Sequence, residues 1–144
     1  MRILIAEDDR LSRVFLTEFL QAYGQCDTAD NGLETLDKYL AAIKCGLPYD
    51  MMCLDIMMPK VDGLMVLKLV RELENLRQIP EDSQVKIIMM TAIADMEYVE
   101  RAFELGCDAY ASKPIEIRQV QEVMLDWGLI TDLEYDETII TNIG

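Results

Sequence analysis

Residues 52–63 read MCLDIMMPKVDG. The apolar run Met52-Cys53-Leu54 ends in one carboxylate, Asp55, and the chain then turns through Pro59 and Gly63. A charge set where a buried strand stops and a sharp loop begins is placed as a ligand-binding group is placed in an open α/β sheet, at the carboxyl end of a strand. The segments on either side decide whether the chain is such a sheet.

They alternate strictly between strand and helix patterns. Upstream, Arg2 to Ala6 (RILIA) is a short apolar run that ends in Glu7, Asp8 and Asp9. Leu11, Val14, Phe15, Glu18, Phe19 and Ala22 then recur at helical spacing up to Gly24. Gln25 to Ala29 reads as a second strand. Asp30-Asn31-Gly32 is a turn, and Leu33, Leu36, Tyr39, Leu40 and Ile43 mark a second helix that Gly46 and Pro48 close. Tyr49 to Leu54 is the third strand. A third helix follows from Gly63 to about Arg77, with Leu64, Leu67, Val70, Leu73 and Leu76 inward. Val85 to Met90 (VKIIMM) is a fourth strand ending at Thr91, and Glu97 to Leu105 is a helix stopped by Gly106. Ala109-Tyr110-Ala111 is a short fifth strand before Lys113-Pro114. The last helix, about Glu116 to Trp127, carries Val120, Val123, Met124 and Trp127 on one face. Strands 1, 3 and 4 are continuous apolar runs, as expected when helices cover both faces of a sheet. The expected fold is therefore α/β, a doubly wound five-stranded parallel sheet. The expected division is a domain over residues 1–128 and an acidic tail over 129–144, in which Asp132, Glu134, Asp136 and Glu137 have no basic neighbour and Ile139 and Ile140 are the candidates for packing.

Composition narrows the function. The 144 residues suit one domain, and a hydrophobic fraction of 51% supports a core without metal or disulfide staples. Cys26, Cys45, Cys53 and Cys107 lack CxxC spacing and read as reduced packing residues. No stretch approaches the roughly 20 apolar residues of a membrane span, and MRILIAEDD does not read as a signal peptide, so a cytoplasmic protein is expected. A net charge of −14 argues against nucleic-acid binding, and the absence of histidine removes any mechanism that needs a histidine base, nucleophile or ligand.

The strand ends carry what remains. Strands lie ~4.8 Å apart in a sheet, so Glu7-Asp8-Asp9, Asp55 and Thr91 would gather at one edge, with Lys113 after strand 5. Taken singly, Asp8 or Asp9 reads equally as a helix cap, and Thr91 carries little information. Crowded carboxylates repel, and a hard divalent cation relieves that repulsion; Mg²⁺ suits a few carboxylate oxygens and keeps waters for a phosphate ligand. In this reading Asp55 is a nucleophile forming an acyl phosphate, Lys113 offsets charge on the transferring group, and Thr91 hydrogen-bonds one of its oxygens.

These residues, in order, carry a resemblance. Glu7-Asp8 after strand 1, the stretch LDIMMPKVDG, Met90-Thr91-Ala92 and Ala109-Tyr110-Ala111-Ser112-Lys113-Pro114 resemble the receiver domains of two-component response regulators, in particular single-domain, chemotaxis-regulator-like ones, from Met1 to about Gly128. The resemblance implies a flavodoxin-like receiver fold and a phosphorelay signalling protein, not an enzyme apart from its own phosphorylation and slow dephosphorylation. It implies that Asp55 takes a phosphoryl group from a histidine kinase or histidine phosphotransfer protein. It further implies Mg²⁺ held by Glu7, Asp8, Asp55 and the Met57 backbone carbonyl, and a cis Lys113-Pro114 peptide. Thr91 and Tyr110 would act as the switch pair, and the face of the fourth helix, fifth strand and fifth helix would bind a downstream protein; a homodimer is also an expected partner state. The acidic pair reads as Glu7-Asp8 or Asp8-Asp9, and the apolar run before Glu7 favours the first.

Three rivals share the architecture. A haloacid-dehalogenase-type phosphatase needs a second aspartate two residues after the first, where Met57 stands. A flavodoxin-like flavin binder needs a hydroxyl- and glycine-rich loop after strand 1, where three acids stand. An unphosphorylated pseudo-receiver acting as a protein-interaction module would have lost the aspartate, hydroxyl or lysine, and Asp55, Thr91 and Lys113 are all present.

Overall fold

A computed structural model describes residues 1–131 of the chain. Five strands, β1 (Arg2–Ala6), β2 (Gln25–Ala29), β3 (Met51–Asp55), β4 (Lys86–Thr91) and β5 (Ala109–Ser112), form one parallel sheet in the order β2-β1-β3-β4-β5. The helices are α1 (Arg10–Leu20), α2 (Gly32–Lys44), α3 (Gly63–Leu76), α4 (Val99–Leu105) and α5 (Ile117–Asp126). The order reverses direction beside β1, so β1 and β3 leave the sheet toward opposite faces and open a crevice at their carboxyl ends.

Alternation along the strands divides the core in two. Leu4, Met52, Leu54, Ile87 and Met89 face α2, α3 and α4. Ile3, Ile5, Met51, Cys53, Ile88 and Met90 face α1 and α5. Every residue of β3 is buried, Asp55 included. Ile130 is 3% exposed and sits in the α1/α5 core with Leu129 against it. Packing thus continues two residues past the expected boundary at 128. The acidic residues from Asp132 onward, with Ile139 and Ile140, lie outside the described residues.

Some helix faces differ from the sequence expectation. In α1 the buried residues are Leu16, Phe19 and Leu20, while Leu11 is 81% exposed and Val14 is also on the surface. Leu76, expected inward, is 81% exposed at the last turn of α3. The fourth helix is shorter than expected. Ile93–Tyr98 is 3₁₀ with no side-chain cap, and α-geometry begins only at Val99. Gly106 ends α4 at φ 107°, in the left-handed region where a side chain is strained.

A buried polar network ties α3 to that corner. Arg71 donates to the Gly106 carbonyl (2.9 Å), to Asp108 (2.9 Å) and to Glu74 (2.6 Å). The second Glu74 oxygen accepts the Val85 amide at 2.8 Å, and Asp108 accepts that of Ile87 at 2.8 Å. Glu74 is almost fully buried, and Arg71 is its ion-pair partner. No helix of the described residues is long and apolar enough to cross a membrane.

Candidate functional site

The crevice is built from loops that leave β1, β3, β4 and β5. At the end of β1, the Glu7 amide bonds the Ala29 carbonyl (3.0 Å), and Arg13 from α1 holds the carbonyls of Glu7 (2.9 Å) and Asp8 (3.4 Å). The acidic run then divides by task. Asp9 caps α1, accepting from the Ser12 amide (2.9 Å) and hydroxyl (2.7 Å). Those bonds hold its carboxyl below the usual aspartate range. Glu7 is buried, Asp8 is exposed, and both reach toward β3. The pair that faces the crevice is therefore Glu7-Asp8.

At the end of β3, the Ile56 amide bonds Met90 (3.2 Å) and the Gly63 amide returns to the Ile56 carbonyl (2.7 Å). That return brings the first turn of α3 against the strand end. A Cβ at position 63 would run into the Asp55 carbonyl oxygen, so only glycine allows the approach. Asp62 caps α3 through the Met65 amide at 2.9 Å.

Carboxylate oxygens of Glu7, Asp8 and Asp55 all lie within 4.8 Å of one another. Lys113, after the cis Lys113-Pro114 peptide that follows β5, reaches across the sheet edge. Its Nζ lies 2.8 Å from Glu7 Oε1 and 3.2 Å from Asp55 Oδ2. Burial, then the hydrogen bond and charge of Glu7, push the Asp55 carboxyl up to about 7 against the pull of Lys113. Burial and the hydrogen bond and charge of Asp55 also raise Asp8. Burial works against the Lys113 ammonium, but its contacts to Glu7 and Asp55 outweigh that and hold it above the ordinary lysine range. Such crowded hard oxygen donors, short of positive charge, fit a divalent cation of the Mg²⁺ kind. Met57 lines an open cleft of about 440 Å³ beside them, with Asp8, Met58, Pro59 and Tyr98.

The remaining expected residues stand apart from the cluster. Thr91 is buried at the end of β4, but its hydroxyl donates to Met96 Sδ, 3.4 Å away. Tyr110 is partly exposed on β5, its ring edge-on to Phe103 at 6.1 Å. Three features of the site had no readable signal. The Glu7–Lys113 pair and the Arg13 clamp join residues far apart in sequence or through backbone carbonyls, and a thioether partner for Thr91 looks like core.

A family model described as the response regulator receiver domain matches residues 3–125. Hybrid signal transduction histidine kinase G of Dictyostelium discoideum is 32% identical over 139 residues, covering 94% of this chain and 4% of that protein. Chemotaxis protein CheY of Treponema pallidum is 29% identical over 123 residues, covering 84% of this chain and 78% of that protein. The chain spans 10% or less of the length of the first curated histidine kinases it matches. Among solved structures, the receiver domain of Ssk1, in complex with the Saccharomyces cerevisiae histidine phosphotransfer protein Ypd1, superposes with a TM-score of 0.75 at 21% identity, covering 94% and 97% of the two chains. That likeness is one of fold.

Proposed function

The chain belongs to the response regulator receiver family, matched over residues 3–125, and from that premise we propose that Asp55 is the phosphoacceptor of a phosphorelay, loaded by a histidine kinase or histidine phosphotransfer protein. The observation that carries this is the pairing of Asp55 with Lys113 at 3.2 Å inside a cluster with Glu7 and Asp8. A pseudo-receiver has no need to keep a buried aspartate in so costly a setting.

In this reading Asp55 attacks the phosphorus of a phosphohistidine. The Oδ–P bond forms, the N–P bond breaks, and the imidazole leaves with the electron pair and takes a proton. Lys113 lies against the nucleophile and favours its ionised form against the opposing effects of burial and Glu7. Glu7, Asp8, Asp55 and the Met57 carbonyl would hold Mg²⁺, which when bound supplies positive charge to the phosphoryl oxygens. After transfer the added charge faces two donors of this chain, the Lys113 ammonium and the Thr91 hydroxyl. Thr91 moving to the phosphoryl group would vacate space beside Tyr110, whose ring now rests at the surface against Phe103. The α4–β5–α5 face would change shape for a downstream protein. The Ssk1 receiver being solved with Ypd1 supports a phosphotransfer partner of that class.

Intact mass after incubation with acetyl phosphate and Mg²⁺ tests the reading. One phosphoryl adduct is expected on the wild-type chain, and none on Asp55→Asn or in chelator. A folded wild-type chain that takes no adduct and binds no beryllofluoride would make it a pseudo-receiver.

A further inference from the structure

The Thr91 hydroxyl is a strong donor paired with a weak acceptor, the thioether of Met96 at 3.4 Å. Met96 sits on the 3₁₀ segment Ile93–Tyr98, which has no side-chain cap. Its side chain is 39% exposed, within reach of small solutes. The residue that carries this sulfur is thus partly exposed, and the sulfur is in contact with a site side chain.

We propose that the Met96 thioether is a catch on the Thr91 hydroxyl and a modification site through which peroxide-class oxidants tighten that catch and disfavour the phosphorylated form. The inference rests on the reading of Thr91 as a donor to the phosphoryl group. In the reduced chain, Thr91 exchanges a thioether acceptor for a phosphoryl oxygen, so the catch opposes phosphorylation only slightly. Oxidation changes the acceptor. A lone pair on Sδ attacks one peroxide oxygen, the O–O bond breaks, and the leaving hydroxide takes the other oxygen's proton to become water. Sulfur loses two electrons and becomes the sulfoxide, and the peroxide is reduced. The sulfoxide oxygen is a polar acceptor set on the same side chain, and it holds Thr91 away from Asp55. Met96 is a positioning residue here, acting through Thr91.

Calorimetric titration of the full chain with beryllofluoride and Mg²⁺, a stand-in for the phosphoryl group, tests the catch. Met96→Leu should bind roughly 2-fold tighter than wild type, the low end of what one neutral hydrogen bond contributes. Met96→Gln, an amide-oxygen stand-in for the sulfoxide, should bind more weakly by a similar factor. Wild type treated with hydrogen peroxide should also weaken, with one added oxygen mapped to Met96 by peptide mass. Methionine sulfoxide reductase with a thiol should reverse the loss, whereas thiol alone, which would rescue Cys45, should not. In a Thr91→Ala background, Met96→Leu should change nothing. Equal affinity of reduced, oxidised and Met96→Leu chains overturns the catch, as does a Met96→Leu effect that survives in Thr91→Ala. Oxygen found on the exposed Met57 and Met65 but not on Met96 overturns the modification site. A wild-type chain that neither binds beryllofluoride nor takes a phosphoryl group overturns the receiver reading and the catch with it. Normal binding that ignores Met96 overturns the catch alone.

Discussion

At the scale of single residues, Asp55 dominates the pH behaviour. In the cation-free folded chain its carboxyl is pushed from the ordinary 3.8 to about 7, burial and then Glu7 being the causes. Between those values folding takes up a proton. The stability this group contributes is full below about pH 4 and is lost as pH rises through about 7. In chelator, wild type should therefore lose melting temperature relative to Asp55→Asn as pH climbs from 5 to 8. Parallel melting curves for the two chains would contradict the assignment. Met57 and Ile93, two residues beyond Asp55 and Thr91, are exposed apolar side chains, and Met57 lines the cleft beside the cluster. They should slow attack of water on the acyl phosphate, so Met57→Asn should lose its phosphoryl group faster than wild type in a timed mass assay. Asp55 and Lys113 were legible in sequence because a lone aspartate after an apolar strand, and a lysine before proline after another, have few structural uses. The task of Asp9 was not, because a cap and a ligand are spelled with the same letters until the Ser12 amide is seen to bind it.

At the scale of elements, periodicity specified the five strands and five α-helices in their chain order, but not which face of each helix is buried. In α1 the expected Phe19 is buried and Phe15 packs against the core, but Leu11 and Val14 are exposed and Leu16 and Leu20 take the inward positions, because the apolar stripe is compatible with two rotations. Leu76 extends the α3 pattern beyond the point where anything covers it. The 3₁₀ stretch Ile93–Tyr98 has no sequence mark that separates it from α-helix. The Arg71 network makes a stability prediction for these joints. Arg71→Ala leaves Glu74 charged, buried and unpaired and should cost about 3–5 kcal/mol in denaturant unfolding. A loss below ~1 kcal/mol, the range of exposed pairs, would mean that the network is wetter than its geometry implies. Arg118 and Glu122, 3.7 Å apart and largely exposed, are the contrasting surface pair.

At the scale of the whole molecule, the alternating pattern and the apolar character of β1, β3 and β4 were enough to specify a parallel sheet covered on both faces, because a strand buried on both sides leaves no room for polar alternation. The strand order placed the neighbouring Glu7 and Asp8 in one crevice with Asp55, which lies more than 45 residues away in sequence. What the linear sequence does not carry is which joints are stiff. The two ends of the segment between β4 and β5 are held very differently. Arg71 fastens the Gly106 carbonyl and Asp108, while Ile93–Tyr98 is an uncapped 3₁₀ turn. Mechanically the segment is a cantilever, clamped at its far end and loose at the end nearest Thr91. A small displacement at Thr91 is then taken up as tilt about the Gly106 corner, not as sliding of the whole helix. Amide hydrogen exchange should show it as a gradient, fast over residues 93–98 and slow over 102–107, which phosphorylation steepens at the loose end and leaves unchanged at the clamp.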